Sequence, residues 1–180
     1  MAEEAKVIAK IKQDGPTEAV SSFNLFQTPK DIASVMAGRL GPLDGLRCLE
    51  PSAGLGRLFK ACTGGEWVLV EQSNDLCRHL YDLGVRLIND DFLNCSADRL
   101  GGKFDRILMN APFKMGTDIK HINHAKTLLN PGGLLVALCY NGVKQNERLR
   151  PIADTWEVLP EQSFRSEGTF ASVALLTIRA

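Results

Sequence analysis

The residues in this sequence best equipped for chemistry are Asn110, Ala111, Pro112 and Phe113, which follow the apolar run Phe104 to Met109. A side-chain amide carries a carbonyl acceptor and an NH₂ donor, and the two together hold a planar amino group. The face of Phe113 offers a surface on which a ring stacks. Pro112 has no N–H to give to a ladder, so a strand over 104–109 must stop there. Asn110 then stands at the carboxyl end of a strand, where open α/β sheets put their ligands. The plainer reading of the same residues is an Asn-x-Pro turn with a packed ring. Amide plus aromatic at the end of a buried strand is equipment for gripping a planar amine.

Other residues of chemical interest lie upstream. Glu50-Pro51-Ser52-Ala53-Gly54-Leu55-Gly56 follows a short apolar segment, Leu46 to Leu49, and precedes a helix expected over 57–62. Strand, glycine-bearing turn and helix form the opening unit of a nucleotide-binding α/β domain, because glycine lets backbone approach a ligand at the helix N-terminus. The next strand, Trp67 to Val70, runs into Glu71. An acid at the end of the second strand, roughly twenty residues beyond the glycines, is placed to hold a ribose hydroxyl pair. A solvated strand-end charge is the alternative for Glu71. A third strand over 85–88 ends in Asn89-Asp90-Asp91-Phe92-Leu93. A carboxylate followed by an apolar pair suits an adenine ring, with the acid toward its amino group. A polar turn before a Phe92 core anchor is the other reading. His121 and His124 have i, i+3 spacing but no further ligand near in sequence, so a solvated or capping role is expected over metal binding.

The elements that position these residues follow from periodicity and punctuation. Met1 to Asp14 form a short amphipathic helix or a tail, broken at Gly15-Pro16. Ser21 to Gln27 is a loop carrying Phe23 and Phe26. Thr28 is expected to cap a helix over 29–39 with Pro29 at its first position. A helix over 74–83, capped by Ser73 or Asn74, stops at Gly84. Phe104 to Met109 is the fourth strand. Thr117 to Leu129 is a helix closed by Asn130-Pro131-Gly132-Gly133. Leu134 to Tyr140 is a fifth strand, apolar throughout and so buried on both faces. A short helix over 143–149 precedes two late strands, 156–159 and 171–178. The link between those two, 162–170, is too short for a parallel crossover, so they pair antiparallel.

Composition bounds the whole. One hundred and eighty residues suggest one domain with a sizeable core. Lysines and arginines equal aspartates and glutamates in number, so the net charge gives no bulk attraction to nucleic acid or anionic membrane. Five cysteines, irregularly spaced and without a CxxC pair, read as reduced intracellular thiols. No span is long enough to cross a membrane, and no secretory leader is visible.

In order and spacing these motifs resemble those of class I S-adenosylmethionine-dependent methyltransferases, over roughly Leu25 to Ile178. Phe26-Gln27-Thr28-Pro29 looks like the first cofactor motif of the amino-methyltransferases. Glu50-Pro51-Ser52-Ala53-Gly54-Leu55-Gly56 is similar to their acid-Pro-x-x-Gly-x-Gly loop. Glu71, with Gln72 beside it, matches the ribose-binding acid, and Asp91-Phe92-Leu93 resembles the motif at the adenine. Asn110-Ala111-Pro112-Phe113 resembles the catalytic Asn-Pro-Pro-Tyr/Phe of adenine-specific DNA amino-methyltransferases. Ala111 stands where that family usually has Pro; it keeps the carbonyl and loses stiffness. Asp90 stands where Gly is common.

The resemblance implies a Rossmann-like α/β fold with a mostly parallel seven-stranded sheet, a final antiparallel strand and helices on both faces. It implies a methyltransferase domain over 25–180 after a tail over 1–24, without a separate target-recognition domain, as in small phage-type enzymes. The implied cofactor is S-adenosyl-L-methionine, with no metal. The implied partner is nucleic acid, DNA ahead of RNA, for a monomeric chain in the cytoplasm of a bacterial or phage-infected cell. The implied reaction is direct methyl transfer to the amino group of adenine, with RNA guanine or protein glutamine as alternative substrates, or a silent cofactor-binding module as an alternative role. Asn110 and the Ala111 carbonyl would accept the two N–H groups of the target, and Phe113 would stack it. Substrate contacts are expected from Ser21 to Gln27, from Gln162 to Phe170 with Arg165, and from Lys114, Lys120 and Lys144.

Overall fold

A computed structural model of the chain describes residues 27–180. The expected helix at the N-terminus and the aromatics Phe23 and Phe26 lie outside the described residues. Seven strands make one sheet in the order β3-β2-β1-β4-β5-β7-β6. They are β1 (Arg47–Pro51), β2 (Glu66–Glu71), β3 (Arg86–Asn89), β4 (Phe104–Asn110), β5 (Leu129–Tyr140), β6 (Thr155–Val158) and β7 (Val173–Arg179). Strands β1 to β5 pair in parallel, and β7 runs antiparallel between β5 and β6. The late strands are therefore antiparallel neighbours, as their short link requires. Strand order reverses between β1 and β4. The chain leaves their carboxyl ends toward opposite sides there and opens the crevice in which such sheets bind ligands.

The pleat sends alternate residues to two faces, and helices cover both. On one face Cys48, Leu69, Leu108 and Val136 pack with Ile32, Ala33, Met36 and Leu40 of α1 (Lys30–Leu40). On the other face Leu49, Val70, Ile107 and Ala137 meet Ile119, Ile122 and Ala125 of α5 (Thr117–Thr127). Each fully buried Leu or Ile contributes about 1.5–3 kcal/mol relative to an exposed one. The remaining helices, α2 (Arg57–Lys60), α3 (Asn74–Arg78), α4 (Ala97–Leu100) and α6 (Val143–Arg148), are short.

Three local features differ from the sequence reading. Thr28 does not cap α1. Pro29 occupies the cap position, and no side chain caps it; the Thr28 hydroxyl instead accepts from Asn110 Nδ2. The helix expected over 74–83 divides after Arg78. Backbone bonds from His79 to Leu76 and from Leu80 to Cys77 tighten the turn, and a 3₁₀ turn follows over Tyr81–Leu83. The tightening brings the fully buried Leu80 over Gly56, where a Cβ added to the glycine would lie 3.1 Å from Leu80 Cδ2. Asn130 to Gly133, expected as a closing turn, lie within β5, where the register with β4 shifts between Phe104 and Arg106. The Gly132 amide donates to Ala180 O and the Ala180 amide to Gly133 O, so Ala180 pairs with this bulge.

Candidate functional site

The carboxyl ends of β1, β2, β3 and β4 converge on one cleft of about 1730 Å³. It is lined by Gln27 and Thr28, by the Glu50–Gly54 loop, by Glu71 and Gln72, by Asp91 and Phe92, and by Asn110 and Pro112. These residues come from separate stretches of chain, and the sheet topology brings them together.

The glycine loop starts where Pro51 ends the ladder between β1 and β2. The next bond across that boundary runs from the Ala53 amide to Val70 O, 2.9 Å. Gly54 and Gly56 take φ of 57° and 68°, and Ser52 takes 61°. Glycine adopts this left-handed region without strain, whereas for Ser52 it costs about 1 kcal/mol or more. The Ser52 hydroxyl lies 3.4 Å from His121 Nδ1.

Glu71 holds the loop from the neighbouring strand. Its Oε2 accepts from the Gly54 amide at 2.7 Å and its Oε1 from the Ser73 amide at 2.8 Å. Charge-assisted bonds of this kind are short and roughly twice as strong as neutral ones. Glu71 is buried, so the solvated strand-end alternative does not apply. Each carboxylate oxygen has a second lone pair that can accept from a hydroxyl. Glu50, also buried, accepts from the Phe59 amide at 2.9 Å. Burial pushes its carboxyl up to about 8, the Phe59 bond opposes this, and nearby Glu71 adds to it. Glu50 is thus a neutral acid at neutral pH.

At the third strand end, Asp91 Oδ1 accepts from the Leu93 amide at 3.0 Å and caps the 3₁₀ turn Phe92–Asn94. Asp90 pairs with Arg99. Phe92 is nearly fully buried and touches both helix histidines, with ring centroids 5.4 Å from His121 and 4.7 Å from His124.

At the fourth, Asn110 is the last residue of β4, and its Nδ2 donates to Thr28 Oγ1 at 3.2 Å. Ala111 is buried and Pro112 lines the cleft. Phe113 turns toward the end of β5, its ring 6.5 Å from that of the partly exposed Tyr140. The buried Asp118 of α5 accepts from the Tyr140 amide and from Gln145 of α6, which ties this edge together. Burial raises the Asp118 carboxyl above its ordinary range, against the pull of those bonds.

Two residues outside the expected site, His121 and Arg57, line the cleft. His121 is neither solvated nor a cap: it is 5% exposed and lines the cavity. Burial pushes its imidazole down to about 4, although Asp91 pulls the other way, so it is neutral at neutral pH. Its position one turn into the helix that begins at the strand-end loop was the available signal. Arg57, at the first turn of α2, donates to Thr28 O at 3.2 Å and pairs with Glu167 at 2.8 Å. It thereby docks the late loop, which also buries Phe164, beside the entry to α1. Arg165 of that loop is exposed. Among the described residues no cluster of three or more His, Cys, Asp and Glu side chains forms a metal site. No helix among them is long and apolar enough to cross a membrane.

Sequence comparison with known families and with curated proteins gives no match. Solved structures do match. A putative RNA methyltransferase from Pyrococcus horikoshii superposes with a TM-score of 0.68 at 15% identity, over 98% of this chain and 97% of that one. A putative class I S-adenosylmethionine-dependent methyltransferase from Listeria monocytogenes does so with a TM-score of 0.67 at 14% identity, over 98% and 65%. The methyltransferase subunit of a type I restriction-modification system from Streptococcus thermophilus has a TM-score of 0.68 at 16% identity, over 86% and 44%. The chain thus spans less than half of the Streptococcus subunit and nearly all of the Pyrococcus protein. Strand order, the antiparallel β7 and these superpositions agree: the chain has the Rossmann-like fold of the class I methyltransferases.

Proposed function

We propose that this chain is an S-adenosyl-L-methionine-dependent N-methyltransferase whose substrate is the amino group of adenine in DNA. The observation that carries the reading is the position of Asn110. It ends β4 at the strand-order reversal, in the same cleft as the glycine loop and Glu71. A fold hosts many functions, so the reading rests on this site.

The residues fit the cofactor. Gly54 and Gly56 keep side chains out of the loop, Glu71 has lone pairs for a ribose, and Asp91 with Phe92 can take a purine edge and face. When bound, the cofactor supplies an electrophilic methyl group on a sulfonium. The chain's part is to position the acceptor nitrogen. The Asn110 and Ala111 carbonyls accept its two N–H groups and turn its lone pair toward the methyl. Thr28 fixes the amide that does this. The ring of Phe113 stacks the base. His121, uncharged at neutral pH, would add no positive charge to the cleft that would hold a cationic cofactor. Orientation of this kind removes much of a transfer barrier.

RNA is the second reading, favoured by the full-length likeness to a protein described as a putative RNA methyltransferase. Incubation with radiolabelled cofactor and, separately, DNA, RNA and cell protein tests the proposal. Label in DNA at adenine is expected; label in RNA alone moves the substrate, and label nowhere despite cofactor binding leaves a binding module.

A further inference from the structure

Just beyond the Asn110 loop, two unfavourable features meet in one residue. Met115 holds a left-handed backbone, φ 54° and ψ 26°, and the residue is 93% exposed. A bulky residue in that region is a conformational outlier, and such outliers gather at functional sites. Gly116 follows with φ 73°, so two successive left-handed residues precede α5. Met115 lies on the rim of the cleft that holds Asn110 and Pro112.

The cleft is mixed in charge on the side made by β1, β2 and β3, where Arg57 and Arg78 stand among Glu50, Glu71, Asp75, Asp90 and Asp91; on the side made by β4, where Met115 stands, the charged lining residues are Lys114 and Lys120. Lys144 is exposed on α6, between the exposed Val143 and the Gln145 that bonds Asp118 in the first turn of α5. Among the described residues none of these three lysines is in an ion pair. An apolar tip with unpaired cations around it is complementary to a base stack flanked by phosphates.

We propose that Met115 is a wedge that enters a DNA duplex where the target base has left the stack, while Lys114, Lys120 and Lys144 meet the flanking phosphates. This rests on the reading of the cleft as a site for adenine in DNA. A base in a duplex must swing out before its amino group can reach Asn110, and extrusion is disfavoured by lost stacking and pairing. A side chain filling the gap offsets part of that loss. A single strand has no such gap, so the wedge discriminates between the two forms of one substrate.

The left-handed backbone supplies a sharp variant, because Met115→Gly keeps that conformation without strain and deletes the side chain. The test is methyl transfer from radiolabelled cofactor to a duplex and to its separated strand, for wild type, Met115→Gly, Met115→Ala and Met115→Leu. The duplex-to-single-strand rate ratio is expected to fall about tenfold in the Gly and Ala variants and to recover with Leu. An unchanged ratio in the Gly and Ala variants overturns the wedge and leaves the transferase reading standing. A wild type that binds cofactor and methylates neither form of DNA overturns the DNA reading and the wedge with it.

Discussion

The Asn110 side-chain amide donates to the Thr28 hydroxyl across 3.2 Å, joining the end of β4 to the entry of α1 at the cleft. Thr28 is buried, and its own carbonyl is held by Arg57. Removing the hydroxyl with Thr28→Val deletes one acceptor, a loss of about 1 kcal/mol. Transfer is expected to slow by about fivefold, with cofactor affinity nearly unchanged. Steady-state rates and calorimetry on the variant check this; an affinity loss larger than the rate loss would place Thr28 with the cofactor instead.

Asn110→Ala removes the proposed grip on the target nitrogen. Transfer is expected to vanish while cofactor affinity stays within a small factor. Phe113→Ala is expected to weaken substrate binding by about 1–3 kcal/mol, the worth of one stacked base. Full activity of Asn110→Ala on the true substrate would remove the proposed mechanism.

Glu71→Ala breaks the bonds to the Gly54 and Ser73 amides, whether or not ligand is bound. Cofactor affinity is expected to drop by about 1–3 kcal/mol, and thermal stability is expected to fall with it. Titration calorimetry and thermal unfolding on one preparation separate the two effects. Unaltered cofactor affinity would leave Glu71 a loop anchor only.

Glu50 and His121 give the chain opposite pH dependences. Burial holds the Glu50 carboxyl at about 8 against an ordinary 4.5, so the folded chain keeps a proton that the unfolded chain has released. Its contribution is complete below 4.5 and is lost as pH rises through 8. Burial holds His121 at about 4 against an ordinary 6.5, so its contribution is lost as pH falls through that range. Below 6.5 the two slopes oppose each other; between 6.5 and 8 Glu50 acts without His121. Across that upper window stability is expected to fall by about 1 kcal/mol per pH unit, and Glu50→Gln is expected to flatten the fall. Urea unfolding at several pH values in the window reads both slopes; equal slopes would mean that Glu50 is already ionised in the folded chain.

Binding of DNA is expected to be weak, salt-dependent and little affected by sequence. Lys114 and Arg165 are both exposed, one on the cleft rim and one on the loop docked by Arg57. The Lys114→Ala, Arg165→Ala double variant is expected to lower the slope of log affinity against log salt by about 1–2. Salt titrations of both proteins decide it, since a slope that is flat or unaltered points to a protein or small-molecule amide.

Much of the scaffold was legible because short-range rules govern it. Buried runs such as Leu134 to Tyr140 announce strands, Gly84 and Ser73 bound a helix segment, and the brevity of the link over 162–170 forces an antiparallel pair. Local rules misled where a tertiary contact competed. Thr28 has the chemistry of a cap, but the Asn110 amide takes its hydroxyl. The stretch over 74–83 has helical spacing, but Leu80 must reach Gly56, and the turn tightens to let it.

The sequence by itself determined which strand ends carry acids, amides and aromatics, because residue type and periodicity are local properties. Only the tertiary structure decided what those groups face. Glu71 spans to Gly54, His121 meets Ser52 and Phe92, and Arg57 reaches Glu167. The hydrogen-bonded pairs among these are separated by 17, 69 and 110 residues along the chain. A spacing rule connects only the first of these pairs; the other two meet because strands set side by side bring their carboxyl ends to one edge.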